Sequence, residues 1–196
     1  MLRLLLVLLL ASGASAQGIT YGDALPMADA ALASADGSQT TLSASAGAAG
    51  LVVVFWSNAC PWTDRYAPRL ADLAERYTPA GIGFVLVNAN DPAQSDRESA
   101  TASREYATGA GLVMPSLADP SGALASAFGA TSAPHVFFFD AGRVLRYDGT
   151  LDDSPASADR VRVPYLAQAM DQSVAGLPIE VQRTQAFGCA LKQTTD

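Results

Sequence analysis

Cys60 is the residue whose type and position best suit covalent chemistry. It follows the apolar run 51–56 and the polar break 57–59, and Pro61 comes directly after it. Proline has no amide hydrogen and suits the first turn of a helix, so the sequence places Cys60 where a strand gives way to a helix. Free N–H groups and the dipole at a helix start stabilise a thiolate, the form of cysteine that attacks disulfides and peroxides.

Two cationic side chains follow this cysteine. Arg65 and Arg69 lie about one and two helical turns further on, and a nearby cation lowers the pKa of a thiol. The sequence therefore predicts a reactive Cys60. The alternative is an inert buried cysteine that packs like a small apolar residue.

The elements that must position Cys60 can be predicted from hydrophobic patterns. The run at 51–56 predicts a strand that is buried on both faces. The segment after Pro61 predicts a helix, since one face carries Tyr66, Leu70, Leu73 and Tyr77. Residues 82–88 predict a second buried strand, which gives a right-handed parallel βαβ unit. We expect an α/β fold with a central mixed β-sheet flanked by helices and Cys60 beyond the carboxyl end of a central strand.

The remaining predicted elements complete the sheet and its helical layers. A hairpin turn at 36–38 is predicted to precede an edge strand at 40–42. The other patterns predict strands at 114–117, 136–139 and 144–147 and helices at 98–108, 123–128 and 165–174. The segment from residue 179 to the end is expected to be a tail that carries the second cysteine, Cys189.

Residues 1–16 predict a signal peptide. An arginine precedes an apolar run at 4–10, and the segment ends in the small-residue pattern Ala-Ser-Ala. The run is far shorter than the roughly 20 residues that span a bilayer, so no stable membrane anchor is expected. We expect an exported, periplasmic or secreted protein whose domain covers residues 17–196. In such a compartment disulfides persist.

Composition excludes several classes of function. The chain has 12 basic and 19 acidic residues and a net charge of −7, which disfavours binding to nucleic acid. Two cysteines and one histidine are too few for most zinc sites formed by protein ligands alone. We therefore expect no metal and no organic cofactor, and the sequence does not predict the oligomeric state.

The segment around Cys60 resembles the active site of thioredoxin-fold proteins. The segment 55–63 reads Phe-Trp-Ser-Asn-Ala-Cys-Pro-Trp-Thr, with Cys60 at the attacking position and Thr63 where the resolving cysteine usually stands. The segment 131–134 is similar to the thioredoxin loop whose cis-proline packs against the active site. The resemblance implies a cis bond before Pro134, where an ordinary trans proline is the alternative.

A closer similarity is to extracytoplasmic redoxins, the branch that includes alkyl hydroperoxide reductase/thiol-specific antioxidant domains. The matching segments are Ser-Asn-Ala-Cys-Pro at 57–61, Tyr-Asp-Gly-Thr-Leu-Asp-Asp at 147–153 and Gly-Cys-Ala-Leu-Lys at 188–192. The resemblance extends over about residues 20–192. Asp152 and Asp153, within the second segment, are expected to cap a loop rather than to take part in catalysis.

The resemblance implies a thiol–disulfide oxidoreductase acting on protein thiols or disulfides. Cys60 is then the nucleophile and Cys189 the resolving thiol, while Pro134 shapes a groove for the partner backbone. Ser57 and Thr63 are expected to offer their hydroxyls to the thiolate or to a peroxide. Two alternatives compete with redox use: the Cys60–Cys189 bond could be purely structural, or the tail could be mobile and both thiols free.

Two other functions remain open at this stage. A peroxiredoxin-like peroxidase would use Ser57-x-x-Cys60 on a hydroperoxide, although the proline and the activating arginine of that pattern are missing. A non-catalytic binding module is the other alternative, because the local second cysteine is absent. Copper delivery is disfavoured for the same reason. His135 is a candidate general base or a packing residue, and Trp62 is a candidate for a partner-docking surface.

Overall fold

A mixed sheet of seven strands forms the centre of the fold in the computed structural model, which describes residues 18–193. The predicted signal peptide at 1–16 lies outside the described residues. The strands are β1 Leu32–Ser34, β2 Gln39–Thr40, β3 Gly50–Trp56, β4 Ile82–Asn88, β5 Ser116–Ala118, β6 Ser132–Ala133, β7 His135–Asp140, β8 Leu145–Gly149 and β9 Cys189–Ala190. The helices are α1 Leu42–Ser45, α2 Pro61–Tyr77, α3 Ala100–Gly109, α4 Ala123–Phe128 and α5 Tyr165–Val174.

The order of strands in the sheet is β2-β1-β5-β4-β3-β7-β8. Strand β4 pairs parallel with β3 on one side and with β5 on the other. Strand β7 pairs antiparallel with β3, and β8 pairs antiparallel with β7. Strands β6 and β9 form a separate two-stranded sheet. The predicted α/β fold with a central mixed sheet flanked by helices is confirmed.

Strand β3 is fully buried because both faces of the sheet are covered. Val52, Val54 and Trp56 belong to one apolar cluster with residues of α2 and α5. The alternate residues of β3 belong to a second cluster, which includes residues of α4: Leu51, Val53 and Phe55. This double burial explains why the strand reads as a continuous apolar run, and it holds the loop that follows β3 on a rigid base.

Several predicted boundaries differ from the structure. The predicted strand at 40–42 is wrong in part, because Thr41 caps α1 by accepting a hydrogen bond from the Ala44 amide. The strand predicted at 114–117 is Ser116–Ala118. The helix predicted from residue 98 begins at Ala100, where Ser99 caps it, while Glu98 ends a 3-10 turn. That turn points the Glu98 side chain inward, which matters for the site below.

No helix within residues 18–193 has the length and apolar character needed to cross a bilayer.

Candidate active site

Cys60 occupies the N-cap position of α2, directly before Pro61 in the first turn. Its side chain is only 2% exposed. It forms a disulfide with Cys189, which lies 129 residues later in the sequence. The strand-to-helix placement is as predicted. The bond contradicts the alternative in which both thiols are free, and it is expected both of a redox-active and of a purely structural disulfide.

The loop opposite Cys60 contains the cis peptide bond Ala133–Pro134. The resemblance to thioredoxin-fold proteins implied this bond. The carbonyl oxygen of Ala133 lies 3.4 Å from Cys60 Sγ. Pro134 itself is buried, so the loop closes the site on the side away from α2.

The C-terminal tail is an ordered part of the site. Strand β9 pairs antiparallel with β6, with Cys189 opposite Ala133 and Ala190 opposite Ser132. The amide of Leu191 donates to the carbonyl of Thr131 over 3.0 Å. The sequence predicted only that this segment carries the second cysteine, and the two-residue strand was missed.

A second loop holds the tail from the other side. The Lys192 amide donates to Asn90 Oδ1 over 2.9 Å, and the Asp91 amide donates to the Lys192 carbonyl over 2.7 Å. Asn90 also donates from its side chain to the carbonyl of Trp56, at the end of β3, over 3.3 Å. The tail is therefore tied to the carboxyl ends of both central strands.

The side chain of Glu98 lies beneath the loop that presents Cys60. The carboxylate is buried and accepts hydrogen bonds from the Ser57 hydroxyl at 2.5 Å, the Asn58 amide at 3.0 Å and the Ala59 amide at 3.2 Å. It also accepts from the side-chain amide of Asn88 at 2.9 Å. Buried backbone donors need acceptors, so Glu98 fixes the conformation of the loop just before Cys60.

Asn58 extends this buried network. Its side-chain amide donates to the Arg97 carbonyl and to the Ser103 hydroxyl over 2.9 and 2.8 Å. Arg97 returns a hydrogen bond from its guanidinium to the Asn58 carbonyl over 3.0 Å. The loop at 57–59 is thus held along its length by residues 97–103, which the sequence analysis did not associate with the site.

The hydroxyls of Ser57 and Thr63 are engaged away from the sulfur. Ser57 donates to Glu98, and Thr63 donates to the carbonyls of Ser57 and Cys60. The expectation that they offer hydrogen bonds to the Cys60 thiolate or to a peroxide therefore needs correction. The reason is that each hydroxyl has a buried backbone or carboxylate acceptor within reach, and both residues instead hold the turn around Cys60.

The two predicted activating arginines also contact other groups. Arg65 donates to the Ala156 carbonyl over 3.0 Å, and its guanidinium lies 5.6 Å from the centre of the Trp62 ring. Arg69 forms an ion pair with Asp152. The expectation that these cations lower the pKa of Cys60 is corrected, because both guanidinium groups contact the loop at 152–156. The positive potential beside the sulfur comes instead from the N-terminus of α2.

The segment at 147–153 joins the base of the tail to α2. Asp148 forms an ion pair with Arg183 at 2.6 Å, and the hydroxyl of Tyr147 lies 2.7 Å from that of Thr184. Thr150 is 2.8 Å from the hydroxyl of Tyr66 on α2. The segment therefore fixes where the tail leaves the sheet.

The same segment ends in the two aspartates that were expected to cap a loop. Asp152 accepts from the Ser154 amide, and Asp153 accepts from the amides of Arg162 and Val163. Both make the loop-capping contacts that were expected.

His135 directly follows the cis-proline, yet its ring is mainly a packing group. It lies 4.3 Å from the ring of Phe137. Burial lowers the pKa of His135 to about 4. The charge of Asp148 raises this pKa and that of Arg183 lowers it, both by less than burial does. Its Nδ1 is buried without a hydrogen-bond partner among the described residues. A buried imidazole with a lowered pKa is a weak base, so these features favour a packing role for His135 over general-base catalysis.

Trp62 lies in the first turn of α2 and contacts the tail. Its ring meets that of Phe187 edge to face, with the ring centres 4.7 Å apart. Phe187 is 45% exposed. The predicted docking surface at Trp62 is thus covered in this structure by the chain's own tail.

Within residues 18–193, no group of three or more His, Cys, Asp or Glu side chains is arranged to hold a metal ion.

The fold and the geometry around Cys60 are those of a thioredoxin-like protein. The mixed sheet, the cysteine at the first turn of a helix and the facing cis-proline match what the resemblance implied, and a thioredoxin-like protein of known structure shares the fold. The Redoxin family model matches residues 20–162. The chain therefore belongs to the Redoxin family. The comparison with curated proteins gave no significant match.

Solved structures are similar over most of the chain. A hypothetical protein from Sinorhizobium meliloti 1021 is 30% identical, with a TM-score of 0.83 over 92% of this chain and 98% of that one. A secreted disulfide oxidoreductase of Mycobacterium tuberculosis, homologous to E. coli DsbE, is 18% identical with a TM-score of 0.55 over 75% and 95%. Peroxidoxin BcpB from the same organism is 18% identical with a TM-score of 0.56 over 79% and 94%. The last two share the fold with this chain.

Glu98 is the main site residue that sequence analysis missed. It stands in a polar stretch, 95–99, that is typical of a solvated surface. No periodicity marks it as buried, because a 3-10 turn rather than a helix or strand directs its side chain. Asn88 and Asn90, at the carboxyl end of a predicted strand, were the available signal, since polar side chains cluster where parallel strands end.

Proposed function

We propose that this protein is an exported thiol–disulfide oxidoreductase in which Cys60 attacks and Cys189 resolves. The observation that carries the proposal is the Cys60–Cys189 bond, formed at the N-terminus of α2 and against the cis-proline loop. The sequence of residues 1–16 supports export, and a persistent disulfide is compatible with an oxidising compartment.

In the reduced protein the helix N-terminus favours the thiolate of Cys60. This thiolate attacks one sulfur of a partner disulfide, which forms a mixed disulfide and releases the other partner sulfur as a thiolate. Cys189 then attacks Cys60 Sγ. The partner leaves as a dithiol and the Cys60–Cys189 bond reforms, so two electrons pass from the protein to the partner. The reverse sequence oxidises a partner dithiol.

A peroxidase is the second candidate, supported by the Redoxin family assignment. The site supports it less well, because the Ser57 hydroxyl that would hold a peroxide donates to Glu98. The same two cysteines would serve either reaction, with a sulfenic acid on Cys60 as the peroxidase intermediate.

One experiment separates these functions. The reduced protein is mixed in parallel with a small peptide disulfide and with one equivalent of hydrogen peroxide, then quenched with an alkylating agent, and both cysteines are mapped by mass spectrometry. Rapid formation of the Cys60–Cys189 bond with the disulfide, and a trapped mixed disulfide on Cys60 in Cys189→Ser, are expected. A peroxide reaction much faster than that of free cysteine would instead select the peroxidase.

The same measurement tests the binding-module alternative. A Cys60 thiol that reacts no faster than free cysteine with either oxidant would favour a non-catalytic scaffold. Partner binding that survives Cys60→Ser would support the same conclusion.

A further inference from the structure

Residues 187–191 cross the active site, with the short strand β9, Cys189–Ala190, at their centre and a bend at Gly188 before it. Cys189 is bonded to Cys60, and its strand pairs antiparallel with the cis-proline loop through Ala133. This is the arrangement that a partner peptide would adopt in the mixed disulfide of the proposed function. The chain thus shows which side chains the groove accepts on either side of a reacting cysteine.

We propose that the groove selects partner disulfides whose cysteine lies in an extended segment of the form aromatic–glycine–cysteine, followed two residues later by an apolar residue. The inference rests on the proposed function and names its substrate class. The tail sequence Phe187-Gly188-Cys189-Ala190-Leu191 is the internal example of that segment.

The aromatic position is defined by Trp62. Phe187, two residues before the cysteine, meets the Trp62 ring edge to face at 4.7 Å. The Arg65 guanidinium also lies 5.6 Å from the centre of the Trp62 ring. Trp62 stands in the first turn of α2, beside Cys60, so an aromatic residue of a partner would meet the same ring.

The glycine position is defined by close contact with the cis-proline loop. A Cβ at Gly188 would lie 2.0 Å from the Ala133 carbonyl oxygen and 2.8 Å from the Pro134 nitrogen. These are backbone atoms, which cannot swing away as a flexible side chain can. A residue larger than glycine directly before the cysteine therefore forces the peptide out of the groove.

The positions after the cysteine differ from each other. The Ala190 side chain is exposed, whereas Leu191 is half-buried and packs against the cluster that contains Leu124 and Phe128. An alternation of this kind is expected for a strand, whose successive side chains point to opposite faces. It places the apolar requirement two residues after the cysteine.

The tail and a partner compete for the same groove. A donor dithiol first reduces the Cys60–Cys189 bond by thiol–disulfide exchange and leaves as a disulfide. Strand β9 then leaves β6, and the partner disulfide binds in its place. Cys60 attacks the partner cysteine that occupies the place of Cys189, and the second partner sulfur leaves as a thiolate. The released Cys189 then attacks Cys60, which expels the partner as a dithiol and returns the tail to its groove.

The test uses the full-length Cys189→Ser protein, reduced at Cys60. The probe is the symmetric disulfide of the heptapeptide Ala-Phe-Gly-Cys-Ala-Leu-Lys, which copies residues 186–192. The rate constant for formation of the Cys60–peptide adduct is measured by acid quench and mass spectrometry. Companion peptides carry alanine in place of phenylalanine, alanine in place of glycine, or serine in place of the exposed alanine after the cysteine.

Alanine for phenylalanine is expected to lower the rate constant by about 3- to 10-fold, the size of an aromatic pair contact. Alanine for glycine is expected to lower it about tenfold or more, because the added Cβ meets backbone. The serine control is expected to stay within about twofold of the parent peptide. In a Trp62→Ala protein the preference for phenylalanine over alanine is expected to fall to near one.

Three results would overturn the inference. Equal rate constants for all peptides would remove the selectivity while leaving disulfide exchange at Cys60 intact. A phenylalanine preference that persists in Trp62→Ala would show that the aromatic position is not formed by Trp62. No adduct with any peptide, while Cys60 still alkylates, would remove the proposed function itself and the selectivity with it.

Discussion

Ser57 donates its hydroxyl hydrogen to the carboxylate of Glu98 over 2.5 Å, 41 residues apart in the sequence. The contact joins the loop before Cys60 to a turn from another part of the chain. It fixes the conformation of the short polar loop after β3, and that loop determines the position of the Cys60 sulfur.

Glu98→Ala is expected to lower both the stability and the reactivity of the site. The substitution leaves the amides of Asn58 and Ala59 buried without their acceptor, at a cost of about 2–4 kcal/mol in the free energy of unfolding. Chemical denaturation measures this change, and the alkylation rate of reduced Cys60 reports the loop. Glu105→Ala is the matched control, because Glu105 is exposed on α3 and its change is expected to stay within about 0.5 kcal/mol. Equal effects of the two substitutions would contradict the role given to Glu98.

His135 is expected to make the protein less stable in mild acid. Its pKa in the fold is about 4, against 6.5 for the free side chain. As the pH falls from 6.5 towards 4, the unfolded chain therefore binds a proton that the folded chain does not. The free energy of unfolding therefore decreases across this window, by on the order of 3 kcal/mol once the pH lies below both pKa values.

His135→Asn isolates this contribution, since it removes the titrating group and leaves Asp148 and Arg183 in place. Denaturation of both proteins at pH 7, 6, 5 and about 4 gives the difference in slope. The variant is expected to show the shallower loss of stability on acidification. Parallel curves for the two proteins would refute the assignment.

The Cys60–Cys189 bond is expected to have the reduction potential of an exchanging disulfide. If the proposed function is right, titration against thiol–disulfide buffers should give a value between about −270 and −120 mV. Alkylation followed by mass measurement counts the free thiols, and Cys60→Ser, which retains Cys189 alone, supplies the one-thiol reference. A value below about −300 mV would favour a purely structural bond instead.

Gly188→Ala is expected to make the Cys60–Cys189 bond easier to reduce. The added Cβ would lie 2.0 Å from the Ala133 carbonyl oxygen, so the tail strand must leave its pairing with β6. A tenfold loss in the equilibrium for closing the bond corresponds to a rise of about 30 mV in potential. Ala190→Ser, one residue beyond the cysteine on the exposed side, is the control and should leave the potential unchanged. An unaltered potential in Gly188→Ala would show that the tail pairing does not support the bond.

The part of the molecule that sequence predicts well is the part governed by local pattern. Strand β4 and the helices α4 and α5 match their predicted ranges, because apolar runs and helical spacing are decided within a few residues. Strand β3 begins one residue earlier than its apolar run, at Gly50. The motif at 57–61 indicated the position of Cys60 at the start of α2, and the motif at 131–134 indicated the cis bond before Pro134.

What the sequence does not reveal is pairing over long distances. The two-residue strands β6 and β9 show no periodicity, since their register depends on contact between segments far apart in the chain. The arginines at 65 and 69 stand at the right spacing from Cys60 yet face another loop. Side-chain direction on a helix depends on which partners lie nearby, and spacing alone does not supply them.

The sequence separation of the two bonded cysteines also sets the delay between their appearance during synthesis. Cys60 and Cys189 are separated by 129 residues. At synthesis rates of about 5–20 residues per second, Cys60 emerges roughly 6–26 s before its partner. Throughout that interval Cys60 has no Cys189 to bond with, while the residues of α2, 61–77, are synthesised early in it. Each newly made molecule therefore passes through a period in which Cys60 can exchange with a disulfide of another molecule, which releases a thiolate from that molecule, before Cys189 has been synthesised.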